Sequence, residues 1–416
     1  MSAGVVVVGA GHAAGAFAAA LRQGGYAGAV TLVGAEPMAP YQRPPLSKAW
    51  LKGETTVEEL LVRPLSFYAD KSVGLRLTTV VESIDRTAQR IVLAGGTTIE
   101  YEQLVLATGS RLRALAVPGI AGSGVFELRS VADADRIKAA LGPGRRLVVV
   151  GGGYIGLEVA ASARAIGAEV TVVEREARLL ARVASETLSA FFARCHADHG
   201  VSVLLGASVA AFERSAGVLT GVRLADGRVL DCDVAIVGIG ALANDALALA
   251  AGLDCNDGVV VDQACRTSAA AIHAIGDCTR RPVPRYERTV RLESVPNALE
   301  QARAAAADLC GRPAPKPEVP WFWSDQYDVR LQIAGLPFDV ARQVVRGDPV
   351  GGSFAVFHLD DANRLQALEA VNASAEFAAA RQWVAGRQVI DPLRAADSSI
   401  AVKQIALPAA PAGGAG

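Results

Sequence analysis

Two stretches of the chain carry the same pattern of apolar and polar positions: a run of valines, a glycine-rich turn, an alanine-rich helical stretch and a second apolar run. The first spans 5–8, Gly9-Ala10-Gly11, a helix to Leu21 and a strand over 29–33. The second spans 147–150, Gly151-Gly152-Gly153, a helix through Ala165 and a strand over 169–173. Continuous apolar strands alternating with helices predict an α/β fold whose parallel sheets are covered on both faces. The duplication is of whole architectural units, not a short-period array. Further on, 218–224 and 228–231 flank the turn Ala225-Asp226-Gly227 as a hairpin. Residues 312–320 hold four prolines and no period, which predicts a linker. From Trp321 to about Ile405 strand-like and helical patterns alternate in a third, smaller domain, and 407–416, rich in Ala, Pro and Gly, reads as a flexible tail.

At 416 residues the chain exceeds what one core usually serves, so two or three domains are expected. A formal net charge of -1 argues against bulk binding to nucleic acid or a membrane surface and leaves electrostatic docking to a local patch. No apolar run approaches the roughly 20 residues of a membrane span. Residues 2–11 lack a basic leader and read directly into a strand; a cytoplasmic setting is expected. Six cysteines, Cys195, Cys232, Cys255, Cys265, Cys278 and Cys310, form no C-x-x-C pair and fit neither a zinc site nor a disulfide framework. Free thiols packed in a reduced compartment are expected, and no metal.

A lone G-x-G-x-x-G says little. Here each copy follows a predicted strand, opens a helix and has an acid at the end of the next strand, the context that gives the motif meaning. In the first, Gly9 serves the tight turn, Gly11 lets backbone approach a pyrophosphate, and Ala14, followed by Gly15, keeps helix and strand close. Free N–H groups and the helix dipole then face the phosphates, and Glu36 suits ribose hydroxyls. In the second, Gly151, Gly153 and Gly156 take those roles. Glu174 there favours the 2′-hydroxyl of NADH and repels the 2′-phosphate of NADPH, although Arg175 and Arg178 lie close enough in sequence to soften the preference. Two ordinary βα turns are the plain alternative. A strand over 103–106 ends in the small-residue turn Ala107-Thr108-Gly109, and Ala274-Ile275-Gly276-Asp277 ends another; Asp277 suits a ribityl chain or is simply a turn residue.

The segments GAGHAAG, RPPLSK, LVLATGSRLR, VVVGGGYIGLEVA, AIGDC, RLESVPNALEQA and PWFWSDQYD together resemble the FAD-dependent ferredoxin reductases that serve bacterial oxygenases, of the putidaredoxin reductase type, over about residues 4–405. Biphenyl-dioxygenase reductases, rubredoxin reductases and apoptosis-inducing factor are more distant. The resemblance implies FAD on the N-terminal copy and NADH on the central one. The fold is then two Rossmann-like dinucleotide-binding domains in a glutathione-reductase-like arrangement plus a C-terminal α+β domain: residues 1–110 and 241–320 for FAD, 111–240 for NADH, and 321–406.

For the FAD side the resemblance implies Gly9, Gly11, Ala14, Gly15, Glu36, Arg43, Lys48, Val81, Ala107, Thr108, Gly109, Arg129, Asp277, Ser294, Val295 and Trp323. For the NADH side it implies Gly151, Gly153, Tyr154, Ile155, Gly156, Glu158, Glu174, Arg182, Gly238, Ile239 and Gly240. It sets Lys48 beside Glu158 near flavin N5, where a buried lysine needs a counter-charge and a cation stabilises charge arriving with hydride. The alternative is two surface charges that never meet. Tyr154 gates the nicotinamide face or merely starts a helix. Trp321 and Trp323 share one face of a strand, as core packing or, for Trp323, at the flavin edge. Where the family often has a proline before the asparagine at 244, this chain has Ala243.

The implied activity is NADH-dependent reduction of a 2Fe–2S ferredoxin feeding a haem or Rieske oxygenase, with hydride passing to FAD and electrons leaving singly. Ferredoxins are acidic, so a basic patch aids docking. The resemblance offers Arg63 and Arg303; Arg280, Arg281, Arg285, Arg288 and Arg291 crowd one stretch that is as readily just solvated. Oligomeric state stays open, with a monomer favoured. One rival is an NADH oxidase or disulfide reductase, which needs a redox cysteine early in the first domain, whereas the first here is Cys195. The other is a redox-controlled binding protein resembling apoptosis-inducing factor, with long basic additions that this chain lacks.

Overall fold

The valine run Gly4–Val8 is buried along its whole length because it lies between two parallel neighbours, Val30–Val33 and Thr98–Leu106. In this computed structural model, which describes residues 4–408, Val5 and Val7 pack with Phe17, Ala18 and Leu21 of the helix His12–Gln23 and with Ala302 and Ala305 of the helix Val295–Leu309. Val6 and Val8, on the opposite face, pack with Ile84, Ile91 and Leu253. Covering both faces explains why this strand needs no alternation. Val73–Arg76 and Ile272–Ala274 extend the parallel sheet, and the hairpin Val81–Asp85 and Arg90–Leu93 continues it antiparallel. These elements belong to a first compact unit made of the residues up to Pro45, Thr55–Leu112 and Ala241–Glu318.

A second unit comprises Leu46–Glu54, Arg113–Gly240 and the chain from Val319. Its parallel sheet runs Ser202–Leu204, Glu169–Val173, Arg146–Val150, Val234–Val237, Val125–Phe126. The hairpin expected over 218–231 forms, and Val209–Ser215 joins it as a third strand. Residues 312–320 carry neither helix nor strand. Beyond them an antiparallel sheet runs Trp321–Gln326, Val329–Gly335, Leu365–Val371, Ser353–Leu359, Arg342–Asp348, and Phe377, Ala380 and Val384 of the helix Ser374–Ala385 pack on its Phe357 and Leu368. The segment expected as a flexible tail is tied down at its first residue: the Leu407 N–H donates to the Val389 carbonyl at 2.9 Å. Its remainder, 409–416, lies outside the described residues. No helix among the described residues is long and apolar enough to cross a membrane.

Within the second unit a buried polar seam joins the helix Glu186–Asp198 to the last sheet. His196 is fully buried; its Nε2 meets Gln326 Oε1 at 2.8 Å, its Nδ1 meets the Tyr327 hydroxyl at 3.2 Å, and Tyr327 stacks on His199 with 3.7 Å between centroids. Burial, helped by His199 and opposed by Gln326, holds the His196 pKa below its ordinary value. The unfolded chain therefore binds the proton more readily, and this contribution is complete above the ordinary value and lost as pH falls through it toward the folded one. His196→Gln is expected to flatten the fall in Tm between about pH 7.5 and 5.5. A calorimetric slope identical to that of the unmodified protein would refute the assignment.

Candidate functional site

Both glycine loops have geometry that a side chain would spoil at one glycine and leave room for at another. Gly9 has φ +114°, and a Cβ there would lie 2.2 Å from the Ala107 carbonyl oxygen; at Gly11 a Cβ would meet nothing within 4 Å. Ala14 is fully buried, and at Gly15 a Cβ would press to 2.7 Å of Pro40. In the second loop Gly151 has φ +112° and would place a Cβ 2.5 Å from the Gly238 carbonyl oxygen. A Cβ on Gly156 would strike the Gly151 carbonyl at 2.2 Å, while Gly153 again faces open space. No side chain caps the helices His12–Gln23 and Tyr154–Ala165, whereas Ser130, Ser185 and Ser294 cap three others. Uncapped N–H groups opening on free space suit a phosphate. His12, the first residue of its helix, also has its Nδ1 buried without a hydrogen-bond partner, and burial lowers its pKa.

The two acids are held differently. Glu36 accepts from the Tyr41 hydroxyl at 2.5 Å and from Arg43 at 2.6 Å, so two residues expected near FAD pair with one another. Glu174 accepts from the Gly152 N–H at 2.7 Å with one oxygen and from the Glu176 N–H at 2.8 Å with the other, which pins its carboxylate against the second glycine loop. Arg178 is committed to structure: it donates to the carbonyls of Ala181 and Ala184 and to the Ser189 hydroxyl. The Arg175 side chain is 77% exposed and pairs with Glu176 at 2.9 Å. A Cβ on Gly240 would lie 3.3 Å from the Arg182 guanidinium, and the Gly238 N–H donates to Val150. Gly240 thus borders the loop that holds Arg182, and Gly238 and Ile239 border Gly151 of the second glycine loop.

In the first unit Thr108 and Asn244 exchange hydrogen bonds, Thr108 Oγ1 to the Asn244 carbonyl at 2.6 Å and Asn244 Nδ2 to the Thr108 carbonyl at 3.0 Å; Ala243 before it does not disturb them. Gly109 and Gly276 have φ of +67° and +80°. The Ser110 hydroxyl approaches Asp277 at 3.4 Å, and the buried Gln301 amide oxygen accepts from the Gly276 N–H at 2.8 Å. Ser294 caps the helix that Val295 opens, with its Oγ accepting from the Asn297 N–H at 3.2 Å. Val81 pairs with Leu93 in the hairpin.

Lys48, Arg129 and Trp323 fall in the second unit. There Lys48 Nζ lies 2.6 Å from Glu158 Oε2, with 19% and 6% of the two side chains exposed. Glu158 also accepts from the Ser47 hydroxyl at 2.5 Å and the Ser324 hydroxyl at 2.7 Å. A second anchor fixes the Lys48 segment on the same helix, the Ser162 hydroxyl donating to the Ser47 carbonyl at 2.7 Å. Ser47, Ser324 and Gln301 were not among the residues expected from sequence, although they lie in the segments RPPLSK, PWFWSDQYD and RLESVPNALEQA. Arg129 precedes a helix and donates its N–H to Asp133 at 3.2 Å. Trp321 and Trp323 do share a strand face, 5.5 Å apart, and Trp321 packs on Phe377 as core. Tyr154 stacks obliquely on Phe322 at 4.6 Å, and neighbouring Ile155 is 52% exposed. Burial first, then the Glu369 carboxylate, raises the Tyr154 pKa.

Of the residues expected to meet a partner, Arg63 is exposed with its guanidinium over Phe67, and Arg303 pairs with Glu318 at the surface. The arginine-rich stretch is not uniformly solvated: Arg281 is buried against Glu300 and Asn297, and Arg291 pairs with Glu293 and Asp257. Burial pushes the thiols of Cys195, Cys232 and Cys255 up to about 11 and that of Cys265 up to about 12, which keeps them protonated and poorly nucleophilic at neutral pH. Among the described residues no cluster of three metal-ligating side chains occurs.

Residues 3–302 match the family model of pyridine nucleotide-disulphide oxidoreductases, and 321–406 match the reductase C-terminal family. The probable ferredoxin reductase CtmF of Castellaniella defragrans is 49% identical over 404 residues, 97% of this chain and 98% of that protein. Putidaredoxin reductase CamA of Pseudomonas putida is 42% identical over 406 residues, 96% of each chain. In the solved covalent complex of putidaredoxin reductase with putidaredoxin, the matching chain is 41% identical with a TM-score of 0.95, over 97% of this chain and 98% of that one. The chain belongs to the ferredoxin reductase family of pyridine nucleotide-disulphide oxidoreductases. It is an oxidoreductase that uses FAD and NAD(H).

Proposed function

We propose that the protein carries electrons from NADH to a small 2Fe–2S ferredoxin serving an oxygenase: NADH and two oxidised ferredoxins become NAD+, a proton and two reduced ferredoxins. The observation that carries this reading is the pair of uncapped glycine-loop helices opening on free space, each with a carboxylate at the end of the following strand. When bound, FAD supplies the acceptor for hydride and the site from which electrons leave singly. Gly11 and the first turn of its helix would hold the FAD pyrophosphate, Glu36 its ribose, and Thr108 and Asp277 its ribityl side. Arg43, Val81, Ser294 and Val295 of the same unit would complete that cofactor's contacts. Gly153, Glu174 and Arg182 hold NADH, while Tyr154, Ile155 and the turn Gly238-Ile239-Gly240 orient its nicotinamide. Lys48, fixed by Glu158, offers positive charge where hydride arrives. No general base is needed, so the protein's share is positioning and exclusion of water.

The protein acts as a cytoplasmic monomer on this reading, without nucleic acid, and an acidic face of the ferredoxin meets Arg63 and Arg303. Arg303→Glu places a second negative charge beside Glu318 and is expected to raise the KM for ferredoxin about tenfold, with the effect shrinking as salt is added. NADH:ferricyanide turnover should survive. Equal loss of both activities would count against this surface. Steady-state reduction of a purified 2Fe–2S ferredoxin tests the whole reading; rapid NADH consumption by oxygen with no ferredoxin reduction would favour the oxidase alternative.

A further inference from the structure

Residues 175–185 connect Glu174 to the helix Glu186–Asp198 and run past the second glycine loop. Their course is over-determined. Leu180 has φ +55°, a conformation that a non-glycine residue keeps only when its surroundings enforce it. Its N–H donates to the Gly152 carbonyl at 3.0 Å, the Tyr154 hydroxyl reaches the Val183 carbonyl at 3.4 Å, and Arg178 grips Ala181 and Ala184. The last anchor comes from another sheet. Glu369, on the strand Leu365–Val371, accepts from the Ser185 N–H at 2.8 Å and from the Ser185 hydroxyl at 2.5 Å. Ser185 Oγ in turn caps Leu188 at 3.1 Å.

Glu369 is an expensive way to fill that position. It is 3% exposed, among Leu365, Ala367, Leu368, Ala370 and Val371, and the His358 ring stands 3.6 Å away with neither nitrogen hydrogen-bonded. A buried carboxylate stabilises less than an apolar residue of similar volume, so stability alone does not explain it. Its two acceptors fix both the backbone and the side chain of one serine, and through it the end of the strap that carries Arg182. We propose that Glu369 is a positioning residue for NADH, acting through Ser185 to hold this strap against the glycine loop; the inference rests on the reading of that loop as the NADH site.

The test uses the FAD-loaded protein with ferricyanide as acceptor, so that it does not depend on the ferredoxin. Ser185→Ala and Glu369→Gln are each expected to raise the KM for NADH and the calorimetric Kd for NAD+ about tenfold, with kcat at saturating NADH changed less than about twofold. Because the two residues act as one unit, the double variant should be no worse than either single one. Ser185→Thr, which keeps the N–H and a hydroxyl, should restore wild-type binding. Unchanged KM and Kd, a loss confined to Tm, or effects that simply add would overturn the proposal. If Glu369→Gln does not fold, Ser185→Ala against Ser185→Thr decides it. Wild-type protein that binds NAD+ yet reduces no ferredoxin would sink the functional reading and leave this result standing.

Discussion

Lys48→Met is expected to slow NADH oxidation about 100-fold, the size typical of removing one preorganised donor from a reacting centre, and equally with ferricyanide and with ferredoxin. Methionine preserves the length and packing of the stem and removes the ammonium. The two acceptors should suffer alike because, on the proposed reading, the lost charge serves hydride arrival, which precedes both. Glu158 would keep its bonds to Ser47 and Ser324 but lose its counter-ion. Breaking a fully buried pair costs roughly 3–5 kcal/mol; with Lys48 partly exposed and two hydroxyls remaining, about 1–3 kcal/mol is expected here. Glu158→Gln should be milder, about tenfold, since the amide can still engage both serines and Lys48 retains its charge. Stopped-flow reduction of the enzyme's flavin at saturating NADH separates these outcomes. A Lys48→Met protein reduced at the wild-type rate would make the pair purely structural.

How much of this was legible in the sequence depended on whether the signal was local. The valine runs, glycine turns and terminal acids lie within single strand–turn–helix units, so periodicity and motif context were sufficient, and the strands over 147–150 and 169–173 form where expected, within a residue. The Lys48–Glu158 pair joins segments far apart in the chain, and no periodicity connects them; family resemblance alone suggested it. Ser47 and Ser324 lie inside the segments RPPLSK and PWFWSDQYD, but a single serine carries no pattern that singles it out. Charge density misled in the arginine-rich stretch, where Arg281 is buried against Glu300 and, of the five, Arg288 alone is exposed. Glu369 is the instructive omission. In the strand Leu365–Val371 a lone charge stands between Leu368 and Ala370 in a stretch that is buried on both faces, and that break in the apolar pattern was there to be noticed.

Coenzyme preference gives the other large effect. Replacing Glu174 by serine and Glu176 by glutamine together should shift the ratio of kcat/KM for NADPH over NADH by about 100-fold, since a carboxylate facing the 2′-phosphate is removed and a cation is released toward it. The cation is Arg175, whose exposed side chain now pairs with Glu176. Arg178 is held in place by its bonds to Ala181, Ala184 and Ser189, so Arg175 is the arginine released. Glu174 also holds the Gly152 and Glu176 N–H groups, so activity with NADH should fall about tenfold from loosening of the loop alone. Adding Arg175→Ala to the double variant should erase the gain with NADPH, whereas Arg178→Ala should lower binding of both coenzymes by freeing the strap. Steady-state kinetics with both coenzymes at low salt measures all four proteins. A gain with NADPH that survives Arg175→Ala would mean that repulsion by Glu174, without any attracting arginine, sets the preference.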